Sequence, residues 1–342
     1  MKVLFVTRAH IGLGKGGLER KIRLTAGHLR RRGVEVIYYD PWRNQLGDVD
    51  ICHCFSAYAQ MYYHVIEAKK RGKPVVMSPV FGRYDVPLWQ IALKVRLSKY
   101  IPGLYTDYVL LKKILTLSDR VLPLVEEEGH RLAKSFGIPI NRITIVPNGV
   151  DRRFGEGNPA LFQERYGISN FVLQVGSIDP NKNQLTIIKA MADLPYTYVV
   201  IGEPLLGCEP YMEKCRAAAG KNVLFINQLD YDGPMLKSAY AAAKVFIMPS
   251  YSETWGQTLY QAAQAGCSVI VSKNIPISPY IRDYVSQANP KSPKQFRTLI
   301  EKAMDSEATE KLRQAALSMP TWADVGRQII GIYEEVLTKR RG

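Results

Sequence analysis

Residues 248–272 read MPSYSETWGQTLYQAAQAGCSVIVS and combine three structural signals. The apolar run VFIM, at the end of residues 244–248, predicts a buried strand that Pro249 ends. A polar loop follows, and then a helix is predicted from about residue 258 to 265, where Gly266 ends it. Residues 267–271 form a second apolar run and predict another buried strand. The stretch therefore has the strand, loop, helix and strand of a parallel α/β sheet.

The loop of this unit is predicted to lie at the carboxyl edge of the sheet, where open α/β sheets bind their ligands. Gly256 permits close approach of the backbone to a ligand. The first helix amides, near Gln257 and Thr258, are suited to phosphate oxygens. Glu253 would hold sugar hydroxyls at the mouth of this site. The alternative is an ordinary capped surface helix after a charged loop.

The same residues resemble the donor-site motif of retaining GT-B glycosyltransferases, in particular family four, the glycosyltransferase group 1 type. The matching positions are Ser250, Glu253, Gly256, Thr258, Leu259, Ala262, Ala265, Gly266 and Val271. In that motif a second glutamate, which holds the ribose hydroxyls, follows the first after seven residues. Here Gln261 takes its place, and Gln261 can donate and accept hydrogen bonds but carries no charge.

Length and composition indicate a globular chain with two domains: 342 residues, of which 46% are hydrophobic. The first apolar run, residues 3–6, is too short for a signal peptide, and no stretch approaches the roughly 18 apolar residues of a membrane-spanning helix. Five loosely spaced cysteines indicate free thiols in a reducing compartment. We therefore expect a cytoplasmic protein, with peripheral contact to the inner face of the membrane as an addition.

The charge is concentrated in the first half of the chain. Residues 1–150 carry 24 Lys and Arg against 12 Asp and Glu, a balance of +12, whereas residues 151–342 carry 22 against 19. Such a basic half suggests an anionic lipid surface or a pyrophosphate-bearing acceptor, and no nucleic-acid motif accompanies it. Aromatic and basic residues interleave over residues 88–117, a pattern that predicts contact with a membrane surface. Ordinary domain helices with lysines on their wet faces are the commoner alternative.

The first predicted βαβ unit permits two interpretations. Gly12, Gly14 and Gly17 satisfy the dinucleotide fingerprint and Asp40 ends the next strand, which would indicate an NAD-dependent oxidoreductase. Four residues separate the first strand from this glycine run, however, so the placement is poor. Gly16 and Gly17, followed by Leu18 and Glu19, also resemble the Gly-Gly-x-Glu run of GT-B enzymes. The resemblance implies that this loop lies near the donor phosphates and the acceptor, and we favour it.

Other positions follow from the resemblance. Relatives carry an Arg directly after the strand that ends at Gly176 and a Lys five positions later, both on the donor diphosphate; here Ser177 replaces the Arg and Lys182 matches the Lys. Gly202 and the pair Gln228 and Leu229 would flank the nucleotide base. Relatives also place a His after the strand at 74–78, and here it is missing. His10 or Arg83 is the candidate acceptor-side residue instead.

The resemblance implies an α/β chain of the GT-B type, with two facing Rossmann-like domains and a cleft between them. We expect an acceptor domain at 1–150, a linker at about 147–165, a nucleotide-sugar donor domain at 165–320, and a C-terminal helix at 321–342 that crosses back to the first domain. A segment led by Trp322 matches that crossover helix.

The resemblance also implies the reaction: retaining transfer of a hexosyl unit from a nucleotide diphosphate sugar to a glycan, a lipid-linked or a small-molecule acceptor, in polysaccharide or glycolipid synthesis. Lys182 and Glu253 are the expected catalytic residues, and no metal or other cofactor is expected. Three alternatives remain. One is the NAD-dependent oxidoreductase. The second is a catalytically impaired nucleotide-sugar or glycan-binding relative, suggested by Gln261, Ser177 and the missing His together, and the third is a hydrolytic GT-B relative or an epimerase.

Overall fold

The computed structural model describes residues 1–8, 11–13, 16–43, 45–82, 86–98, 106–273, 275–306 and 310–341. Contacts within the chain divide it into two compact units. The N-terminal unit comprises Met1–Gly149 and Pro320–Gly342, and the C-terminal unit comprises Val150–Met319.

The described residues form strands and α-helices in alternation along most of the chain. The strands are β1 Lys2–Val6, β2 Glu35–Tyr38, β3 Ile51–Phe55, β4 Val75–Ser78, β5 Arg120–Val121, β6 Phe171–Val175, β7 Tyr198–Ile201, β8 Val223–Ile226, β9 Ala243–Met248, β10 Ser268–Ser272 and β11 Ser286–Ala288. The helices are α1 Gly17–Arg30, α2 Tyr62–Lys70, α3 Leu88–Leu97, α4 Asp107–Leu117, α5 Glu126–Phe136, α6 Ala160–Tyr166, α7 Gln184–Ala190, α8 Glu209–Ala218, α9 Pro234–Ala242, α10 Gln257–Gln264, α11 Pro293–Asp305, α12 Glu310–Leu317 and α13 Trp322–Arg341.

The sheet of the N-terminal unit has the order β2-β1-β3-β4-β5, and its strands pair in parallel. Its strands are short and almost wholly apolar, as is usual where helices cover both faces of a sheet. One face packs on α2 to α5 through residues such as Val65 and Leu115. The other face packs on α1 and α13, where Tyr333 is completely buried. The last helix of the chain is thus part of the core of the N-terminal unit.

The sheet of the C-terminal unit has the order β11-β10-β9-β6-β7-β8 and is also parallel throughout. Side chains alternate across β9: Val245 and Ile247 join the core under α7, α8 and α11, whereas Phe246 contacts Tyr240 of α9 on the opposite face. The carboxyl ends of β6, β7, β9 and β10 therefore meet at one edge, and the loops that leave this edge carry most of the predicted donor residues.

The segment between the two sheets is more ordered than the linker that the sequence predicts at 147–165. Residues Arg152–Glu156 form a 3-10 helix and α6 begins at Ala160, both within the C-terminal unit. The reason is burial of two aromatic rings, since Phe154 packs against Tyr231 and Tyr240 while Phe162 packs against Phe171. In the sequence this segment is dominated by glycines and charged residues, so burial of Phe154 and Phe162 could not be predicted from it.

No helix among the described residues combines the length and the apolar character needed to cross a bilayer.

Candidate active site

The loop after β6 is built around Asp179. Its carboxylate accepts the backbone N–H of Asn181 at 2.9 Å and of Lys182 at 3.2 Å, and so caps the 3-10 helix Pro180–Lys182. The hydroxyl of Ser177 donates to the same carboxylate at 2.7 Å. Ser177, at the position where the family resemblance implies an arginine, therefore helps to hold the loop that presents Lys182.

The loop after β9 leads into α10 through Gly256. Gly256 has φ +67°, a left-handed conformation that glycine adopts without strain, and a Cβ there would lie 2.9 Å from the Met248 sulfur. The chain can therefore turn tightly from the end of β9 into the first turn of α10. Gln257 and Thr258 are the first two residues of that helix, at its positive end.

Asn181 joins these two loops. The side-chain NH₂ group of Asn181 donates to the backbone carbonyl of Ser252 at 3.0 Å, and its side-chain oxygen accepts the Ser252 N–H at 3.0 Å. The backbone carbonyl of Asn181 accepts the Tyr251 N–H at 2.9 Å. Asn183 adds a bond to the carbonyl of Pro249 at 3.0 Å. These bonds extend the pairing of β6 and β9 beyond the ends of the strands, so the two loops form one ordered surface.

On this surface Lys182 and Glu253 form an ion pair, with the ammonium donating to Oε1 of the carboxylate. The hydroxyl of Ser250 donates to the same oxygen at 2.9 Å. The side chains of Lys182 and Glu253 are 25% and 13% exposed, so both still face solvent. Burial by itself would lower the pKa of the Lys182 ammonium, but Glu253 and Asp179 outweigh it and raise that pKa above its ordinary value. Lys182 is therefore a fixed cation at the edge of the sheet.

Gln261 lies within α10 and is only 2% exposed. Its side-chain carbonyl accepts the hydroxyl of Tyr240 at 3.0 Å, and its NH₂ group donates to the hydroxyl of Tyr231 at 3.0 Å. Its amide group is thus engaged by two tyrosines of the C-terminal unit. No local sequence pattern predicts these two hydrogen bonds, because Tyr231 and Tyr240 are distant from Gln261 in the chain and belong to no recognisable motif.

The predicted base-flanking residues lie at the ends of β7 and β8. Gly202 directly follows β7. It packs so closely against Gly176, which follows β6, that an added Cβ would lie 1.9 Å from the carbonyl oxygen of Gly176. Gly202 also borders a groove of about 180 Å³. The other lining residues are Pro204, Glu209, Met212, Glu213, Arg216, Phe225, Ile226 and Asn227. The described lining includes Asn227, but Gln228 and Leu229 lie just outside it, Gln228 being exposed.

The N-terminal unit holds the remaining predicted residues. Gly16 immediately precedes α1 and Gly17 begins it, and a Cβ at either would meet nothing within 4 Å. His10 and Arg83 lie outside the described residues. His53, interpreted from the sequence as a core residue, is completely buried, with its ring nitrogens 2.5 Å from the Tyr333 hydroxyl and 3.0 Å from the Ser78 hydroxyl.

The described residues of the alternative dinucleotide fingerprint do not have the geometry of that motif. Gly12 lies in a 3-10 helix, Ile11–Leu13, well past the end of β1 at Val6, and Gly14 lies outside the described residues. The Asp40 carboxylate accepts the backbone N–H of Trp42 at 3.0 Å and is 3.4 Å from the Arg43 guanidinium. Asp40 thus stabilises its own turn. In the part of the chain that the structure describes, no three His, Cys, Asp or Glu side chains are grouped as a metal site would require.

Comparison with known proteins finds relatives among the glycosyltransferases. Residues 162–318, nearly the whole C-terminal unit, match the family described as glycosyl transferases group 1. The D-inositol 3-phosphate glycosyltransferase of Acidothermus cellulolyticus is 25% identical over 251 residues, 67% of this chain and 56% of that protein. The sulfoquinovosyl transferase SQD2 of Arabidopsis thaliana is 27% identical over 239 residues, 66% of this chain and 42% of that protein. The chain thus spans about half the length of the curated relatives it matches.

Solved structures match the whole chain. Alr3699/HepE of Anabaena, solved in complex with UDP, has a TM-score of 0.75 at 16% identity, with 98% of this chain and 100% of that chain covered. The sucrose-phosphate synthase of Thermosynechococcus elongatus has a TM-score of 0.77 at 15% identity, with 99% and 100% covered. The likeness confirms the predicted α/β fold of the GT-B type. Residues 162–318 thus match the group 1 glycosyltransferases, a family of transferase enzymes, which supports the glycosyltransferase interpretation over the dehydrogenase that the glycine run also suggested.

Proposed function

We propose that this chain is a retaining glycosyltransferase that moves a hexosyl unit from a nucleotide diphosphate sugar to an acceptor hydroxyl. The observation that carries the proposal is the Lys182–Glu253 ion pair, held between the ends of two adjacent strands and next to the start of α10. It offers a cation for a diphosphate and a carboxylate for sugar hydroxyls in one place. Ligands of open α/β sheets bind at this edge.

In the transfer, the bond between the anomeric carbon and the bridging phosphate oxygen breaks, and its electron pair leaves with the nucleoside diphosphate. The acceptor oxygen forms the new bond on the same face of the sugar, and its proton passes to an oxygen of the leaving diphosphate. Lys182 and the amides of residues 256–258 would stabilise the charge that develops on the phosphate. Glu253 would orient the sugar by accepting its hydroxyl protons. We propose that these groups suffice without a metal or another cofactor.

The donor proposal draws on the solved relative from Anabaena, which has been determined with UDP-glucose as well as with UDP. We propose a nucleotide diphosphate hexose for this chain too, with its base toward the groove beside Gly202 and Asn227. For the acceptor, the basic first half of the chain and the inositol phosphate named for several relatives favour a polyol, glycan or lipid-linked acceptor that carries phosphate.

Helix α3 supports the further proposal of peripheral membrane contact. Ile91 and Val95 face the core, whereas Trp89, Leu93 and Leu97 recur every four residues and are exposed. Arg96 lies on the same helix, and the Lys94 ammonium lies 5.7 Å over the Tyr108 ring. An exposed apolar stripe with adjacent cations fits an anionic lipid interface.

Sedimentation with vesicles of phosphatidylcholine and phosphatidylglycerol tests this membrane proposal. Replacement of Trp89, Leu93 and Leu97 by Ser should abolish salt-sensitive binding, whereas the same change at the exposed Leu205 and Leu206 of the C-terminal unit should not. Vesicle binding by the triple variant equal to that of the wild type would overturn it.

Thermal shift against UDP, GDP, dTDP, ADP and NAD tests the donor site, because a ligand of the native state raises the melting temperature. We expect one nucleoside diphosphate to raise it selectively, and the corresponding nucleotide hexoses are then assayed for transfer. A nucleotide that binds without transfer of any hexose would favour the second candidate, a binding relative without catalysis, which the engaged amide of Gln261 supports. A shift with NAD alone would refute both.

A further inference from the structure

The groove beside Gly202 in the C-terminal unit is partly lined by apolar side chains. It lies at the carboxyl ends of β7 and β8, next to helix α8, and has a volume of about 180 Å³. Met212 of α8, which is buried, lines it together with Pro204 and Phe225, which are half-buried. Aromatic and thioether side chains attract the face of a planar ring. This part of the groove therefore suits a heterocyclic base.

Charged side chains of α8 form the polar part of the lining. Glu209 and Glu213 are one helical turn apart and Arg216 follows on the next turn, so all three lie on one face of the helix. All three residues are exposed, and among the residues that the structure describes none of their charged groups has a hydrogen bond or an ion pair. Two carboxylates and one guanidinium therefore stand side by side at the groove and are available to a ligand.

The groove is close to the proposed diphosphate site. Gly202, which borders the groove, packs against Gly176, whose carbonyl oxygen would lie 1.9 Å from a Cβ added at Gly202. A Cβ added at Gly176 would in turn lie 3.8 Å from Cε of Lys182. The packed ends of β6 and β7 thus separate the groove from the Lys182 side chain. A nucleotide whose phosphates are bound by Lys182 can therefore place its base in the groove.

The charges of the groove discriminate among the common bases. Uracil and thymine present carbonyl oxygens on both sides of their ring N–H, and these oxygens would face the carboxylates of Glu209 and Glu213. Adenine offers its amino group beside a ring nitrogen that can only accept. Guanine presents two neighbouring donors, N1–H and the 2-amino group, to carboxylates that only accept, while its O6 and N7 accept from a guanidinium. A simple cation would be repelled by Arg216.

We propose that this groove selects guanine, so that the donor of this chain is a GDP-hexose. The carboxylates of Glu209 and Glu213 accept the N1–H and 2-amino protons, Arg216 donates to O6, and the purine ring stacks on Phe225. The proposal rests on the proposed function and names the base of its donor. Glu209, Glu213 and Arg216 determine specificity and are not catalytic residues, because they contact the base and not the bond that breaks.

Titration calorimetry of the full chain with GDP, IDP, ADP, UDP and dTDP tests the proposal. IDP differs from GDP in lacking the 2-amino group, so the comparison of these two nucleotides isolates the contact with the carboxylates. We expect GDP to bind most tightly and IDP to bind about tenfold more weakly, as for the loss of a hydrogen bond to a charged group. Equal affinity for GDP and IDP would overturn the inference.

The double variant Glu209→Ala/Glu213→Ala should bind GDP and IDP with nearly equal affinity. Removal of two negative charges strengthens binding of any diphosphate, and this general effect cancels in the ratio of the two affinities. Glu164→Ala, which removes an exposed carboxylate on α6, is the matched control and should keep the wild-type ratio. The replaced side chains are exposed, so these variants should fold normally. A double variant with the wild-type ratio would contradict the assignment of Glu209 and Glu213.

Failure of this inference is distinguishable from failure of the proposed function. If UDP, the ligand of the solved Anabaena relative, binds more tightly than GDP, the donor site stands and the guanine assignment is wrong. Preference for ADP or dTDP has the same meaning. If none of the nucleoside diphosphates binds at millimolar concentration, the proposed function fails and the guanine assignment fails with it.

Discussion

The Lys182 ammonium and the Glu253 carboxylate, 71 residues apart in the chain, form an ion pair across the loops that follow β6 and β9. The Ser250 hydroxyl holds the same carboxylate oxygen at 2.9 Å, and Asp179 adds a second negative charge near the ammonium. In the ligand-free chain the two charges neutralise each other. Binding of a diphosphate would give Lys182 a new anionic partner and leave Glu253 available for sugar hydroxyls.

Replacement of Glu253 by Ala should lower the rate of hexosyl transfer by about 10²–10³-fold, because an oriented group that acts on the transition state is lost. The fold should stay intact, with a loss of about 1–3 kcal/mol in unfolding free energy, since the pair is largely but not completely buried. Initial-rate kinetics and urea denaturation measure the two effects. Glu301→Ala, which removes an exposed carboxylate on α11, is the matched control and should transfer normally. A fully active Glu253→Ala enzyme would refute the assignment.

Replacement of Lys182 by Met should weaken binding of the preferred nucleoside diphosphate about 10- to 100-fold, because a charge-assisted hydrogen bond to phosphate is lost. Since Glu253 and Asp179 outweigh burial and raise the pKa of Lys182 above its ordinary value, the wild-type lysine stays mainly charged up to about pH 10. Deprotonation of Lys182 should therefore cause no loss of wild-type affinity between about pH 8 and 10. Titration calorimetry measures both, with Lys189→Met, an exposed lysine of α7, as the control.

Replacement of Gln261 by Ala should lower the unfolding free energy of the C-terminal unit by about 1–3 kcal/mol, because the buried hydroxyl of Tyr240 and the partly buried hydroxyl of Tyr231 each lose a hydrogen bond to it. Urea denaturation measures the change. Gln163→Ala, at an exposed position of α6, should have almost no effect. Equal stability of the two variants would show that the amide network contributes nothing to the fold.

Replacement of Gly202 by Ala should destabilise the C-terminal unit by about 3 kcal/mol or more, because the new Cβ would lie 1.9 Å from the Gly176 carbonyl oxygen and two strand ends would have to separate. The same shift moves the loop that carries Lys182, so nucleotide binding should fall as well. Melting curves and thermal shift with the nucleotide measure both effects. Gly27→Ala on α1, where a Cβ meets nothing within 4 Å, should not destabilise the protein.

Glu128 should make the stability of the N-terminal unit depend on pH. It is completely buried, and its oxygens accept the N–H groups of Phe81 and Leu124, each at 2.6 Å. Burial raises the pKa of Glu128 from 4.5 to about 7. The folded state thus holds the proton of the Glu128 carboxyl more tightly than the unfolded state does. The contribution of this proton to the unfolding free energy is complete below pH 4.5 and is lost as the pH rises through about 7. The loss should amount to about 3 kcal/mol.

Denaturation of the wild type and of Glu128→Gln at pH 4.5 and pH 7.5 measures this effect. Glutamine loses one accepted amide bond at every pH but has no proton to lose, so the stability gap between the two proteins should narrow by about 3 kcal/mol at the higher pH. Glu127→Gln, at the exposed neighbouring position, should show no such narrowing. Burial also lowers the pKa of Lys21 to about 8, so stability should rise again above that pH. If the difference in unfolding free energy between the wild type and Glu128→Gln is the same at pH 4.5 and pH 7.5, the prediction is contradicted.

Local patterns in the sequence predicted most of the elements that hold the candidate donor site. The strand predicted at 244–248 is Ala243–Met248, the helix predicted at 258–265 is Gln257–Gln264, and the strand predicted at 267–271 is Ser268–Ser272. Buried parallel strands are continuous apolar runs, and glycines mark the helix ends, so both are visible locally. Strand β11, Ser286–Ala288, was missed because it is a polar edge strand that pairs with β10 alone.

Contacts between distant residues could not be predicted in the same way. The bonds of Asn181 to Ser252 and the enclosure of Gln261 by Tyr231 and Tyr240 depend on which strands become neighbours, and no local pattern specifies them. The resemblance to a family gave the positions of Lys182 and Glu253, but not that they pair with each other. The roles assigned to them, and to the other candidate site residues, stay predictions that the variants above test.

The bonds of Asn181 have a consequence for the entropy of ligand binding. A flexible loop must be ordered when a ligand arrives, and each side chain that is fixed reduces the affinity. Here Asn181 already holds the Tyr251 and Ser252 amides before any nucleotide is present, so those amides should exchange slowly with deuterated water in the free protein. The candidate donor surface is in this sense preorganised, and most of the binding energy of a diphosphate would remain available for affinity.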